Sequence, residues 1–230
     1  MEKILPMSYY YRAFQKQKRG YAVAKRSLDI VFSIVFLVAL SPLFLILMAI
    51  AALDTKSSPV FVQERMGRFN RPFKMLKIRT MSSDAPANVA THKLQGAEGY
   101  ISRTGRIMRK LSLDELPQLI NILKGDMSFI GPRPVVLAER ALIGLRRAKG
   151  ADRVRPGITG LAQVQGRDEV PARRKACYDA YYARHMGPGL DAWIFMRTFR
   201  CVFTGEGMRE GAAPRTARQW QRTARRRYRP

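Results

Sequence analysis

The stretch Ser112-Leu-Asp-Glu-Leu-Pro-Gln-Leu-Ile-Asn-Ile-Leu-Lys-Gly-Asp-Met-Ser-Phe-Ile-Gly-Pro-Arg-Pro134 sets two adjacent carboxylates, Asp114 and Glu115, at a helix start. Arg109 stands five residues before Asp114, and a rigid Pro132-Arg133-Pro134 closes the stretch. Local rules account for part of this. Ser112 suits an N-cap with Glu115 as its capping-box partner, and Asp114 is a first-turn acid favoured by the helix dipole. Leu116, Leu119, Ile120 and Leu123 then make a buried face, and Gly125 a stop. A helix start also presents unpaired N–H groups that attract anions, so one turn can hold a carboxylate and receive a phosphate. Acid and base this close, in a chain with a long apolar segment, point to phosphate chemistry at a membrane surface.

That apolar segment runs from Ile30 to Leu53, 24 residues interrupted only by Ser33, Ser41 and Pro42. At about 1.5 Å per residue it is long enough to cross a bilayer as a straight helix. It starts too far from Met1, and lacks the small-residue cleavage pattern, for a removable signal peptide. Both flanks are basic: Lys16, Lys18, Arg19, Lys25 and Arg26 before it, Arg65, Arg68 and Arg71 after it. Positive residues stay on the cytoplasmic side, which here asks both ends to lie on one face. Pro42 removes a backbone hydrogen bond in mid-segment, and Ser41 can satisfy a carbonyl so freed. The segment is therefore expected to be a re-entrant helix-break-helix with its break at Ser41-Pro42, a simple spanning helix being the alternative. Asp29 and Asp54 bracket it; Asp29 is either paired with Arg26 or a solvated interfacial acid.

The rest of the chain divides by pattern. Residues 1–26 carry seven basic side chains and four tyrosines (Tyr9, Tyr10, Tyr11 and Tyr21), which reads as an interfacial arm or as a disordered leader. Val60–Met66 and Phe73–Met81 predict a hairpin turning at Asn70, Arg71 and Pro72. Ser82–Gly99 is a loop, Ile101–Leu111 a helix, and Val135 to about Lys149 another. Ile158–Val164 is strand-like, and Ala172–Met186 an amphipathic helix. Leu190–Phe203 is apolar almost all round, with Arg197 and Arg200 placed to snorkel, so it suits an interfacial helix better than a buried one. Arg209–Pro230 has eight arginines and one acid, too little apolar surface to fold alone. The expected fold is α+β and mainly helical, divided into an arm (1–26), a re-entrant membrane helix (27–54), a cytoplasmic catalytic domain (55–207) and an Arg-rich tail (208–230).

Composition narrows the partners. Forty-two basic against 17 acidic side chains give a net charge of +25, an excess that meets phosphorylated substrates, an anionic leaflet or nucleic acid. No recognition helix, zinc spacing or RNA-binding aromatic motif supports nucleic acid, so no such partner is expected. Cys177 and Cys201 lack metal or disulfide spacing and are expected to serve packing in a reduced compartment. Two histidines, His92 and His185, make histidine-based catalysis or a zinc site improbable.

The 112–134 stretch closely resembles the signature of monotopic bacterial polyprenyl-phosphate phosphoglycosyltransferases, also called bacterial sugar transferases, in their compact exopolysaccharide-type form. The resemblance runs from about Lys25 to Gly207. It includes Lys25-Arg-Ser-Leu-Asp29, Ser41-Pro42, Lys77-Ile-Arg-Thr-Met81, Ser112-Leu-Asp-Glu-Leu-Pro-Gln118, Gly131-Pro-Arg-Pro134 and Arg155-Pro-Gly-Ile-Thr-Gly160, six motifs in order. It implies transfer of a sugar-1-phosphate from a UDP-sugar to polyprenyl phosphate, on the cytoplasmic face of the inner membrane, with Mg²⁺ as cofactor. It makes Asp114 both the nucleophile of a covalent, two-step cycle and a neighbour of the metal, with Glu115 handling a proton or orienting that metal. Arg109 and Arg133 match the family's phosphate-binding arginines. Lys77 and Arg79 are further candidates, for each of which a solvated strand face competes. An attacking carboxylate needs no activating base, since its ordinary pKa is about 3.9; what it needs is neutralisation of the diphosphate it approaches. Leu161 and Gln165 stand where the family usually has tryptophan and asparagine, and His185-Met-Gly-Pro-Gly where Trp-Ser-Leu is common. These departures bear on sugar and acceptor preference. The subgroup suggests a hexose, galactose or glucose, over an N-acetylated sugar; homo-oligomerisation is left open. A scaffold that kept the fold without the activity, or a membrane-tethered nucleic-acid binder, are the competing classes.

Overall fold

The computed structural model describes residues 7–86, 96–166 and 170–204. The Arg-rich tail, His92, and parts of the 82–99 loop and the N-terminal arm lie outside the described residues. In chain order the elements are α1 (Met7–Ala39), α2 (Ser41–Thr55), β1 (Val60–Met66), β2 (Pro72–Ile78), α3 (Ala97–Tyr100), α4 (Arg103–Lys110), α5 (Gln118–Lys124), β3 (Ser128–Ile130), α6 (Arg140–Ala148), β4 (Gly157–Thr159), α7 (Leu161–Val164), α8 (Ala172–His185) and α9 (Pro188–Thr204). A 3-10 turn over Leu113–Glu115 precedes α5. The fold is mainly helical, with two small two-stranded sheets.

α1 crosses the expected boundary at residue 26 without interruption and ends where α2 begins, the two axes bent by 67°. Pro42 cannot donate to the Val38 carbonyl, and Ser41 Oγ fills the gap, donating to that oxygen at 2.8 Å. The Val38 carbonyl thus keeps a donor at the bend. Around it the apolar side chains face outward: Val31, Ile34, Val35, Val38, Leu45 and Ile46 are all at least half exposed. Polar Ser33 and Asp29 turn inward instead. Asp29 is neither paired with Arg26 nor solvated. It is 4% exposed and accepts from Ser128 Oγ and the Phe129 N–H, both at 3.2 Å. Arg26 caps the last turn of α5 through the carbonyls of Ile122 and Leu123, as a cation should at a helix C-terminus.

β1 and β2 pair antiparallel from Val60↔Ile78 to Met66↔Pro72, the hairpin read from alternation. Asn121 of α5 is buried yet satisfied. Its Oδ1 accepts from the Leu76 N–H at 3.0 Å and its Nδ2 donates to the Lys74 carbonyl at 2.8 Å, so one side chain continues the sheet edge. Gly125 ends α5 in the left-handed conformation (φ 94°). Ser112 is not the expected N-cap: it adopts φ 57°, and its side chain makes no cap bond. The buried face of α5 also differs, consisting of Gln118, Leu119, Asn121 and Ile122, while Leu116, Ile120 and Leu123 are half-buried. The 3-10 turn rotates the helix phase relative to a helix begun at Ser112.

The helix expected from Val135 begins only at Arg140, because the Met66 N–H bonds the Val135 carbonyl at 2.9 Å and Arg65 bridges to Val136. Ile158–Val164 is half strand and half helix, β4 followed by α7. β3 and β4 pair in parallel, Ser128↔Gly157 and Ile130↔Thr159, with α6 in the crossover between them. Glycine is required here: a Cβ on Gly131 would lie 2.3 Å from the Arg155 carbonyl, and one on Gly160 2.0 Å from the Gly131 carbonyl. Cys177 is exposed rather than packed, and Cys201 lies against the cluster of Ile130, Leu161, Val164, Tyr182 and Ile194.

Candidate active site

Three elements bring charge together at one place. The 3-10 turn carries Asp114 and Glu115, 5% and 8% exposed. Lys77, one residue before the end of β2, places Nζ 2.8 Å from Glu115 Oε1 and 3.3 Å from Asp114 Oδ2. Arg133, after β3, donates Nη2 to Glu115 Oε1 at 3.0 Å. Glu115 is thus held by two cations, whereas Lys77 at 3.3 Å is the one polar side-chain partner of Asp114 among the described residues. The carboxylate lying less tightly held is the one a positive phosphorus centre could engage. Lys77 and Arg133 side chains are 16% and 34% exposed, so the opening lies on the arginine side.

Two further arginines hold the Pro132-Arg133-Pro134 backbone. Arg146 Nη1 donates to the Arg133 carbonyl at 2.8 Å, and Arg65 Nη1 to the Pro134 carbonyl at 3.3 Å. Arg146 is itself fastened to Asp179 of α8 through Nε at 2.8 Å and Nη2 at 2.7 Å. Burial pushes the Asp179 carboxyl above the usual range while the Arg146 charge pulls it back. Burial, then the like charge of Arg133, lowers Arg65 to about 10; Glu139 and Glu115 offset this, and it stays protonated at neutral pH. The sequence marked Arg65 only as a basic flank of the apolar segment, and the Arg146–Asp179 pair did not stand out. Thirty-three residues separate the pair, and no spacing rule connects them.

The remaining candidates divide. Arg109 is half-buried on the last turn of α4, whose Met108 packs beside Leu113 and Leu116 of the carboxylate turn. Arg79 lies one residue past β2 and turns away, donating Nε to the Ser58 carbonyl at 2.7 Å and covering the Phe61 ring. Leu47 and Ala51 of α2 pack with Ile78, Met108, Leu113 and Leu116, so the carboxylate turn rests directly on the second arm of the bent helix pair. Among the described residues no three acidic, histidine or cysteine side chains form a metal cage. Two adjacent carboxylates still suit Mg²⁺, which keeps several waters and takes one or two carboxylates plus substrate phosphates.

A buried acid pair facing a lysine and an arginine, on a turn seated against an apolar bent helix pair, is an arrangement suited to handling phosphate groups. The sequence profile of the bacterial sugar transferases matches residues 20–205, so the chain belongs to that family of transferases. It is 37% identical over 200 residues to the exopolysaccharide production protein ExoY of Sinorhizobium fredii, covering 80% of this chain and 88% of that one. It is 36% identical over 202 residues to a UDP-N-acetylgalactosamine-undecaprenyl-phosphate N-acetylgalactosaminephosphotransferase of Aeromonas hydrophila, covering 82% of this chain and 46% of that protein. It is 37% identical over 186 residues to an undecaprenyl-phosphate glucose phosphotransferase of Komagataeibacter xylinus, covering 76% and 35%.

Proposed function

We propose that the protein transfers a sugar-1-phosphate from a UDP-sugar to polyprenyl (undecaprenyl) phosphate at the cytoplasmic face of the inner membrane, an opening step of exopolysaccharide synthesis. The carrying observation is the asymmetry of the acid pair: Glu115 is clamped by Lys77 and Arg133, while Asp114 keeps a single longer contact. An Asp114 oxygen attacks the phosphorus that bears the sugar. The bond from that phosphorus to the bridging oxygen breaks, and UMP leaves with the electron pair. An oxygen of the polyprenyl phosphate then attacks the aspartyl-bound phosphorus, which frees Asp114 and completes the diphosphate-linked product. Lys77 and Arg133 neutralise charge developing on the phosphoryl oxygens, which is most of what such a transfer asks of a protein. Mg²⁺, held by Asp114 beside Glu115, would supply further neutralisation of the diphosphate.

The exposed apolar faces of the bent pair support insertion from one side, with both ends returning to the cytoplasm. α9 supports a second contact: Ile194 and Asp191 are buried, while Trp193, Phe195, Met196 and Phe199 are 42–68% exposed, an aromatic face at interfacial depth. For the sugar, the Komagataeibacter relative, named for glucose, favours a hexose. The Aeromonas relative, 36% identical, keeps an N-acetylated sugar as the second reading.

The test is a UDP-sugar carrying radioactive β-phosphate, presented as hexose and N-acetylhexosamine forms. Native enzyme should acquire covalent label from its own donor and pass it to polyprenyl phosphate. Asp114→Asn should neither label nor turn over, and label retained by that variant would remove Asp114 from its role.

A further inference from the structure

Away from the acid pair, an open pocket of about 70 Å³ is lined by Lys25 and Arg26 of α1, Arg68 of the hairpin turn, and Arg153 and Arg155 before β4, with Asp29 at its wall. It shares no lining residue with the Asp114 site. Its charge is lopsided. Lys25 is neutralised by Asp191 at 2.6 Å. Asp29 is engaged by Ser128 and Phe129. Arg26, Arg68, Arg153 and Arg155 make no salt bridge among the described residues; Arg26, Arg68 and Arg155 donate instead to backbone carbonyls, of Ile122 and Leu123, Arg153, and Gly125 respectively. Burial, and then repulsion from Arg155, lowers the pKa of both Arg26 and Arg68. Asp29 offsets part of the charge at Arg26, but four guanidiniums against that one carboxylate are held against their own repulsion, the arrangement in which a phosphate can be received by several forks at once.

Position narrows the ligand. Arg26 lies one helical turn before Ile30, where the apolar run of α1 begins, and Leu28 and Val31 are exposed at the same level. The pocket therefore sits where the helix passes from headgroups to hydrocarbon.

We infer that this pocket is a second anion site, separate from the acid pair, that takes one phosphate group carried on a membrane lipid. Its basis is the excess of arginine over acid in the pocket and its position at the start of the apolar run, and it stands independently of the transfer reaction. Arg26 and Arg155 also support α5, so the variants use the two exposed members.

The full chain in neutral detergent micelles is titrated with phosphatidic acid, with polyprenyl phosphate and with inorganic phosphate, read by displacement of a fluorescent phospholipid. Native protein should bind lipid-borne phosphate, and Arg68→Gln with Arg153→Gln should weaken this on the order of tenfold or more. The charge-matched Arg103→Gln with Arg106→Gln on α4, neither of them lining the pocket, should leave it unchanged. Inorganic phosphate that competes through Arg68 and Arg153 supports a site recognising phosphate as such; competition by lipid alone supports a headgroup site. Equal weakening in both double variants, or none in either, overturns the inference.

Discussion

Asp179 is the side chain whose loss should travel furthest into the site. It is 1% exposed and bonds Arg146, which in turn holds the Arg133 carbonyl. Removing one member of a buried pair strands the other as an uncompensated charge. Asp179→Ala should therefore cost about 3–5 kcal/mol, read as a lowered unfolding midpoint in detergent, and should lower turnover in chains that still fold. Asp179→Asn, able to accept from Arg146 though not to neutralise it, should cost less. An unchanged midpoint for the alanine variant would mean that the pair contributes nothing to holding Arg133. Lys77 has the opposite character: its contacts are to the two carboxylates themselves, so it acts on charge at the site rather than on the backbone around it.

The bent helix pair depends on two neighbouring residues. Pro42 withholds a donor from Val38, and the Ser41 hydroxyl replaces it, so the Val38 carbonyl keeps a donor where the chain turns by 67°. Ser41→Leu with Pro42→Leu restores the missing N–H and removes the bend's cause. Single cysteines placed at positions 19 and 71, with Cys177 and Cys201 replaced, would report topology in intact cells. Both positions should resist an impermeant thiol reagent in the native sequence, and one should become reactive in a share of the Leu-Leu chains. Reactivity at one position in the native sequence would establish a spanning helix instead. α9 carries a matching division, its buried Ile194 opposite exposed aromatics, and Arg197 lies over the Trp193 ring.

One carboxylate joins the distant parts of the fold. Asp191, on the first turn of α9, accepts from Tyr21 Oη at 2.7 Å and Lys25 Nζ at 2.6 Å of α1, and from Tyr182 Oη at 2.8 Å of α8. Burial and the bond to Asp191 push both phenols upward, so they remain donors throughout the physiological range. Asp191→Ala should cost on the order of 3 kcal/mol by leaving Lys25 and two hydroxyls without their acceptor. Limited proteolysis in micelles should then cleave between α1 and the rest of the chain faster than in the native protein; an unchanged rate would assign the attachment of α1 to its apolar contacts with α5.

What the amino-acid order determined unaided was the hairpin, the helix break and the end of α5. Alternation marked the hairpin, Ser41-Pro42 the break, and Gly125 the end of α5, because each is set by backbone chemistry within a few residues. The motif order marked the family, and with it the acid pair and Arg133. The tertiary structure alone decided which charges meet. It chose Lys77 over Arg79, since the strand ends between them. It buried Asp29 and moved Ser112 out of its capping role, since the carboxylate turn had to seat against α2. It also brought Asp179 to Arg146 and Asp191 to Tyr21 and Lys25, across up to 170 residues. A charge separated from its partner by that much chain has no local signature; its environment exists only after the helices and sheets between them have closed.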